Sequence, residues 1–272
     1  IGRGLSLPLH AFAVTLDPLS VAFSDAHREH QNHWILWRMS PTPSHALALA
    51  LLGARLQLKR QVQQSRQFVR GHLRAVGVEL GQVTGKTWLG AAQAAVAARG
   101  GVLGLSLTAM LEACCALGEQ VSVLDREIRR LVRQDAPCRR MMTAPGVGLL
   151  SALALRASLD DAGRFARSAE VGPYLGLTPS RWQTGKTDRR GAITKQGDSL
   201  VRAYLYEAAT SLLERQKRDC PLRRWGLAQQ DRLGKRRTRV AVARKLAVLM
   251  HKLWRSGETF DWNRGMGAIT IN

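Results

Sequence analysis

The sequence predicts a mainly α protein: antiparallel coiled-coil helices followed by a compact helical C-terminal domain that holds a helix-hairpin-helix turn and short strands around Val171 to Ile193. Two long apolar stripes with alternating steps of three and four, a Gly-rich stretch between them, and a late basic stretch that keeps a helical apolar face all point that way.

The first 44 residues show no sustained period, only scattered Pro, His and Trp (HREHQNHWILWR, MSPTPSH), and read as an irregular segment. His27, His30 and His33 are spaced for one helix face, but no carboxylate or Cys completes a metal set, so no metal site is expected. Residues 45–135 form the coiled-coil region. Its first helix spans about His45 to Val78, with Leu47, Leu51, Ala54, Leu58, Val62, Ser65, Val69, Leu73 and Val76 on one stripe. Arg55, Lys59, Arg60, Arg66, Arg70 and Arg74 lie on the other face. After the Gly-rich stretch from Ala98 to Gly104, a second helix runs from about Leu105 to Gln134 on Leu107, Leu111, Cys114, Gly118, Val121, Leu124, Ile128 and Leu131. The segment GQVTGKT (Gly81 to Thr87) imitates a phosphate-binding loop, but only three residues separate its glycines and no apolar strand precedes it. Nucleotide hydrolysis is therefore not expected.

Charge sets the class of partner. Of 272 residues, 41 are Lys or Arg and 20 Asp or Glu, a net charge of +21. Such a surface calls for a polyanion. No apolar run of about 18 residues stands out as a membrane span, so nucleic acid is expected in place of a membrane. Cys114, Cys115, Cys138 and Cys220 show no metal-binding or disulfide spacing, which fits a reducing cytoplasm.

Residues 136–262 carry the chemistry, with 263–272 as a tail. In MMTAPGVGLLSA, Gly146, Val147 and Gly148 form a tight turn before a new helix, where backbone N–H groups can hold phosphate without reading sequence. Further on, TPSRWQTGKTDRRGAITKQGD gathers Arg181, Lys186, Arg189, Arg190 and Lys195, with Gly185, Gly191 and Gly197 keeping the backbone pliable. The hydroxyls of Thr178, Ser180, Thr184, Thr187 and Thr194 stand among these cations, a setting for attack on phosphorus, and spacing alone does not choose among them. Gly197 to Leu213 reads as a core helix. From Glu214 to Arg255, fourteen Lys or Arg face only Glu214, Asp219 and Asp231. Within that stretch, Lys235, Arg236, Arg237 and Arg239 precede a face of Val240, Ala243, Leu246, Ala247, Met250 and Trp254.

From PGVG through YLGLTPSRWQTGKTDRRGAITKQGD and VRAYLYEAA to KLAVLMHKLWRSGETFDW, the chain resembles the insertion-sequence one-hundred-and-ten family of transposases, over roughly His45 to Trp262. The resemblance implies an N-terminal resolvase-like domain with four acidic Mg²⁺ ligands, a coiled-coil middle, and a C-terminal domain that supplies a serine nucleophile. It also implies oligomers acting on donor and target DNA under a guide RNA. The position that matches the serine is Thr184, with Ser180 as the alternative under a shifted alignment. The acidic set has no counterpart before Val78, where only Asp17, Asp25 and Glu29 occur. An N-terminally truncated chain is therefore expected, without cofactor of its own, in the bacterial cytoplasm with the nucleoid. It should keep nucleic-acid binding and lose strand transfer. The competing expectation is a non-catalytic DNA- or RNA-binding remnant or regulator.

Overall fold

A computed structural model describes residues 43–81, 87–184 and 187–262, and these form a mainly α fold with one two-stranded ribbon. The three-histidine segment, the phosphate-loop mimic except its ends, and the C-terminal tail lie outside the described residues.

Two long helices, α1 (Pro43–Ala75) and α3 (Gly101–Gln134), run antiparallel, with the shorter α2 (Trp88–Ala97) between them in sequence. Their direction is fixed by contacts in reverse order: Arg55 pairs with Asp125 at 2.5 Å, and the Cys114 thiol lies 3.9 Å from the Val62 carbonyl. Burial of Arg55 is offset by the Asp125 carboxylate, which holds the guanidinium charged above its ordinary range. Toward the tip, Val69 and Leu73 of α1, Trp88, Ala92 and Val96 of α2, and Leu107, Leu111 and Cys114 of α3 close a small core. Toward the base, Ala48 and Leu52 of α1 and Ile128 and Val132 of α3 enter the large core of the C-terminal helices.

That second contact corrects the expected stripe. Leu47 is 70% exposed and Ala54 is exposed, while Ala48 and Leu52 are buried in their place. Over 33 residues a strict three-four alternation drifts around an ordinary helix, and here the N-terminal part turns its buried side toward a different partner. The Gly-rich stretch is likewise shorter than expected, because α3 already starts at Gly101. The apolar-run expectation also needs correction: an 18-residue window of α3 has mean hydropathy 1.6, long and apolar enough to cross a bilayer. In this fold α3 instead presents Leu107, Leu111 and Cys114 to α1 and α2.

The C-terminal domain begins at α4 (Ala136–Met141), capped by the Asp135 carboxylate accepting from the Cys138 N–H at 2.9 Å. Next come α5 (Leu149–Leu159), α6 (Val171–Tyr174), strands β1 (Pro179–Thr184) and β2 (Thr187–Ile193), α7 (Ser199–Thr210) and α8 (Pro221–Ser256). The segment between α5 and α6 is fastened by His251 of α8, whose Nδ1 lies 2.9 Å from Ser168 Oγ and whose Nε2 lies 3.1 Å from the Ala162 carbonyl. A carbonyl can only accept, so Nε2 carries the proton and Nδ1 accepts from the serine.

α8 is not one continuous helix. Gly234 has φ 74° and ψ 157°, and the chain doubles back there. Lys245 Nζ sits 4.3 Å from the centre of the Trp225 ring, and a Cβ added at Gly226 would come within 2.9 Å of Val242. Residues at similar distances before and after Gly234 therefore touch, as two antiparallel arms require.

Candidate nucleic-acid interface

The predicted binding residues fall on three features, all mounted on α7. At its C-terminal end, where the helix widens into a π turn (Ser211–Arg215), the turn after α4 packs closely. A Cβ at Gly146 would sit 2.6 Å from the Ala208 carbonyl and 2.9 Å from the Leu212 nitrogen, and φ is +78°, so only glycine fits. The Val147 N–H donates to the Ala144 carbonyl at 3.2 Å. This corrects the expected phosphate cradle: Gly146 and Val147 build the turn, and it is Gly148, exposed at the N-cap of α5, that presents backbone outward.

The same end of α7 holds Arg239. Its guanidinium hydrogen-bonds the Tyr206 hydroxyl at 3.2 Å and pairs with Glu214, and both partners hold it charged. Arg239 thus ties the second arm of α8 to α7. Lys235, Arg236 and Arg237 differ: all three are exposed and stand immediately after the Gly234 bend.

The opposite end of α7 carries the ribbon. The Asp198 carboxylate caps the helix by accepting from the Leu200 N–H at 2.7 Å, and Arg202 donates to the Leu175 and Gly197 carbonyls at 3.3 and 2.5 Å. The two legs of the ribbon meet through glycine: a Cβ at Gly176 would sit 2.5 Å from the Gln196 nitrogen, and one at Gly197 would sit 2.5 Å from the Leu175 backbone. Close approach is what Gly197 supplies, in place of the pliability expected of it. From residue 198 to residue 208 the rise of a helix is about 15 Å, which separates the ribbon's base from the Gly146 turn.

Along the ribbon, Arg181 pairs in register with Arg190, Trp182 with Arg189, and Thr184 with Thr187. Every residue of β1 is exposed, and so are Arg189 and Lys195. Lys186 and the Arg190 side chain lie outside the described residues. Among the hydroxyls, Ser180 donates to the Ala192 carbonyl at 3.1 Å and is tied into the ribbon. Thr184 stands on the same strand face as Trp182, and the Trp182 indole N–H donates to Thr184 Oγ1 at 3.0 Å. That bond uses an acceptor site of the oxygen and leaves the threonine proton free to depart. Sequence reasoning did not find this pair; its signal was the two-residue spacing of an aromatic donor and a hydroxyl in a strand. Among the described residues no three His, Cys, Asp or Glu groups are placed together to hold a metal ion.

The pattern that defines the Transposase IS116/IS110/IS902 family matches residues 138–221, from α4 to the start of α8. A transposase of Sinorhizobium fredii is 32% identical over 153 residues, 56% of this chain and 40% of the relative. The transposase for insertion sequence element IS1111A of Coxiella burnetii is 30% identical over 52% of this chain and 39% of its own length. That for element IS1328 of Yersinia enterocolitica is 28% identical over 53% of this chain and 44% of its own. The matched part of the chain thus spans about two fifths of the length of these relatives. The domain that bears the Gly146 turn and the ribbon is thus the part of the chain that is similar to the IS116/IS110/IS902 family of transposases.

Proposed function

We propose that this chain is the DNA-handling part of an insertion-sequence transposase, with Thr184 as the attacking hydroxyl in DNA transposition. The observation that carries the reading is the exposed Thr184 oxygen, oriented by the Trp182 indole on a ribbon bearing Arg181 and Arg189. In the step assigned to it, the Thr184 oxygen bonds to a DNA phosphorus, the bond from phosphorus to one ribose oxygen breaks, and that oxygen takes up a proton as the threonine proton leaves. The product is a protein–DNA phosphodiester. Arg181 and Arg189 offset charge on the phosphoryl oxygens, while exposed Gly148 at the start of α5 and Lys235, Arg236 and Arg237 hold DNA backbone at the other end of α7. The helix-hairpin-helix role of the Gly146 turn, a guide RNA as second partner, homo-oligomers and a place at the bacterial nucleoid belong to this reading. Carboxylates for Mg²⁺ would come from outside the described residues.

Covalent capture tests it. The chain is incubated with labelled supercoiled DNA carrying an element end, guide RNA and Mg²⁺, and a protein–DNA adduct is sought in the chain and in Thr184→Ala. An adduct abolished by Thr184→Ala, with DNA binding retained, supports the nucleophile. Salt-sensitive binding with no adduct favours the second reading, a nucleic-acid-binding regulator.

A further inference from the structure

Far from the ribbon in sequence, the C-terminal half of α3 shows a second concentration of charge. Arg126, Arg129, Arg130 and Arg133 are all exposed on the side turned away from buried Ile128 and Val132, and they line an open groove of about 700 Å³ together with Ser122 and Gln134. Arg130 is steadied by Glu127 at 2.6 Å and Gln134 at 3.1 Å. Among the described residues, no carboxylate lies within ion-pair distance of Arg126, Arg129 or Arg133. Like charges three and four residues apart repel along a helix, so this comb disfavours the free helix unless an anion answers it.

We infer that this arginine comb is a docking face for the phosphate backbone of duplex DNA, separate from the ribbon and the Gly146 turn; the inference rests on the transposase reading. Arg126 to Arg133 spans about 10 Å of helix, a length over which a DNA duplex carries about six phosphates, so a straight comb can engage several at once. Single-stranded nucleic acid is held largely by bases stacking on aromatic rings, and α3 contains no Phe, Tyr or Trp. Backbone charge is what this face can recognise.

The test is the salt dependence of binding to a 30-base-pair DNA duplex, for the wild-type chain and for the variant Arg126→Gln/Arg129→Gln/Arg133→Gln. A control, Lys59→Gln/Arg74→Gln/Arg99→Gln, removes the same charge elsewhere, and circular dichroism confirms helix content in each. The comb variant is expected to flatten the slope of log K against log salt by about 2.7, and the control by less than one. Equal slopes in the two variants, or an unchanged slope in the comb variant, overturn the inference while leaving the transposase reading intact. A comb variant that loses binding only to an RNA duplex of the same length overturns the assignment to DNA. If the wild-type chain binds no duplex DNA, the transposase reading fails and this inference falls with it.

Discussion

Thr184 and Ser180 are both hydroxyls on one short strand, yet they are placed for different work. Ser180 donates its hydroxyl hydrogen bond to the Ala192 carbonyl, whereas the Thr184 oxygen accepts one from the Trp182 indole N–H. A branched side chain has few rotamers, so the Trp182 bond fixes which way the oxygen points more than it would for serine. Gly146 is the other residue whose identity is dictated locally, by a positive φ and by the Ala208 carbonyl. Gly146→Ala is expected to cost about 2–4 kcal/mol, the range for backbone strain plus forced displacement of buried backbone. Urea unfolding would show it; a cost below about 1 kcal/mol would mean the turn can move away from α7.

Among the elements, the helices were legible in the sequence because long apolar periods survive local noise: α1, α3 and α7 lie within a few residues of where those periods put them. The bend in α8 was not legible, since Gly234 sits in RLGKRR, a polar run without an apolar face that could change direction. The ribbon read as loop with short strands because all of β1 is exposed, so neither face leaves a buried alternation. Thr184 came from resemblance, and only the structure supplied its partner. His251 gives the contact between α8 and the α5–α6 segment a pH dependence. Burial, the largest cause, pushes its pKa below the ordinary imidazole value. Its folded pKa is therefore below its unfolded one. The neutral ring contributes stability above the unfolded pKa of about 6.5, and that contribution is lost as pH falls through the folded pKa. The melting temperature of the wild type should drop on acidification below about pH 6.5 by more than that of His251→Gln, and parallel drops would remove the assignment.

For the whole molecule, the consequential feature is that α1 and α3 each belong to two cores. Leu52 is fully buried in the large one, so Leu52→Ala is expected to cost about 3–5 kcal/mol and to lower the main unfolding transition. Val69→Ala, fully buried in the small core, should act first on the tip, speeding amide exchange around Trp88 to Val96 ahead of global unfolding. Indistinguishable exchange patterns in the two variants would show that the cores open as one unit.

At 33 residues, α1 is about 50 Å long, with one end embedded beside α5 and the other closing the tip, so the arm has the geometry of a lever. A tilt of about ten degrees at its base would sweep the tip through roughly 9 Å, given that length. A macromolecule gripping the tip would thereby gain mechanical leverage on the domain that carries the ribbon, without touching it.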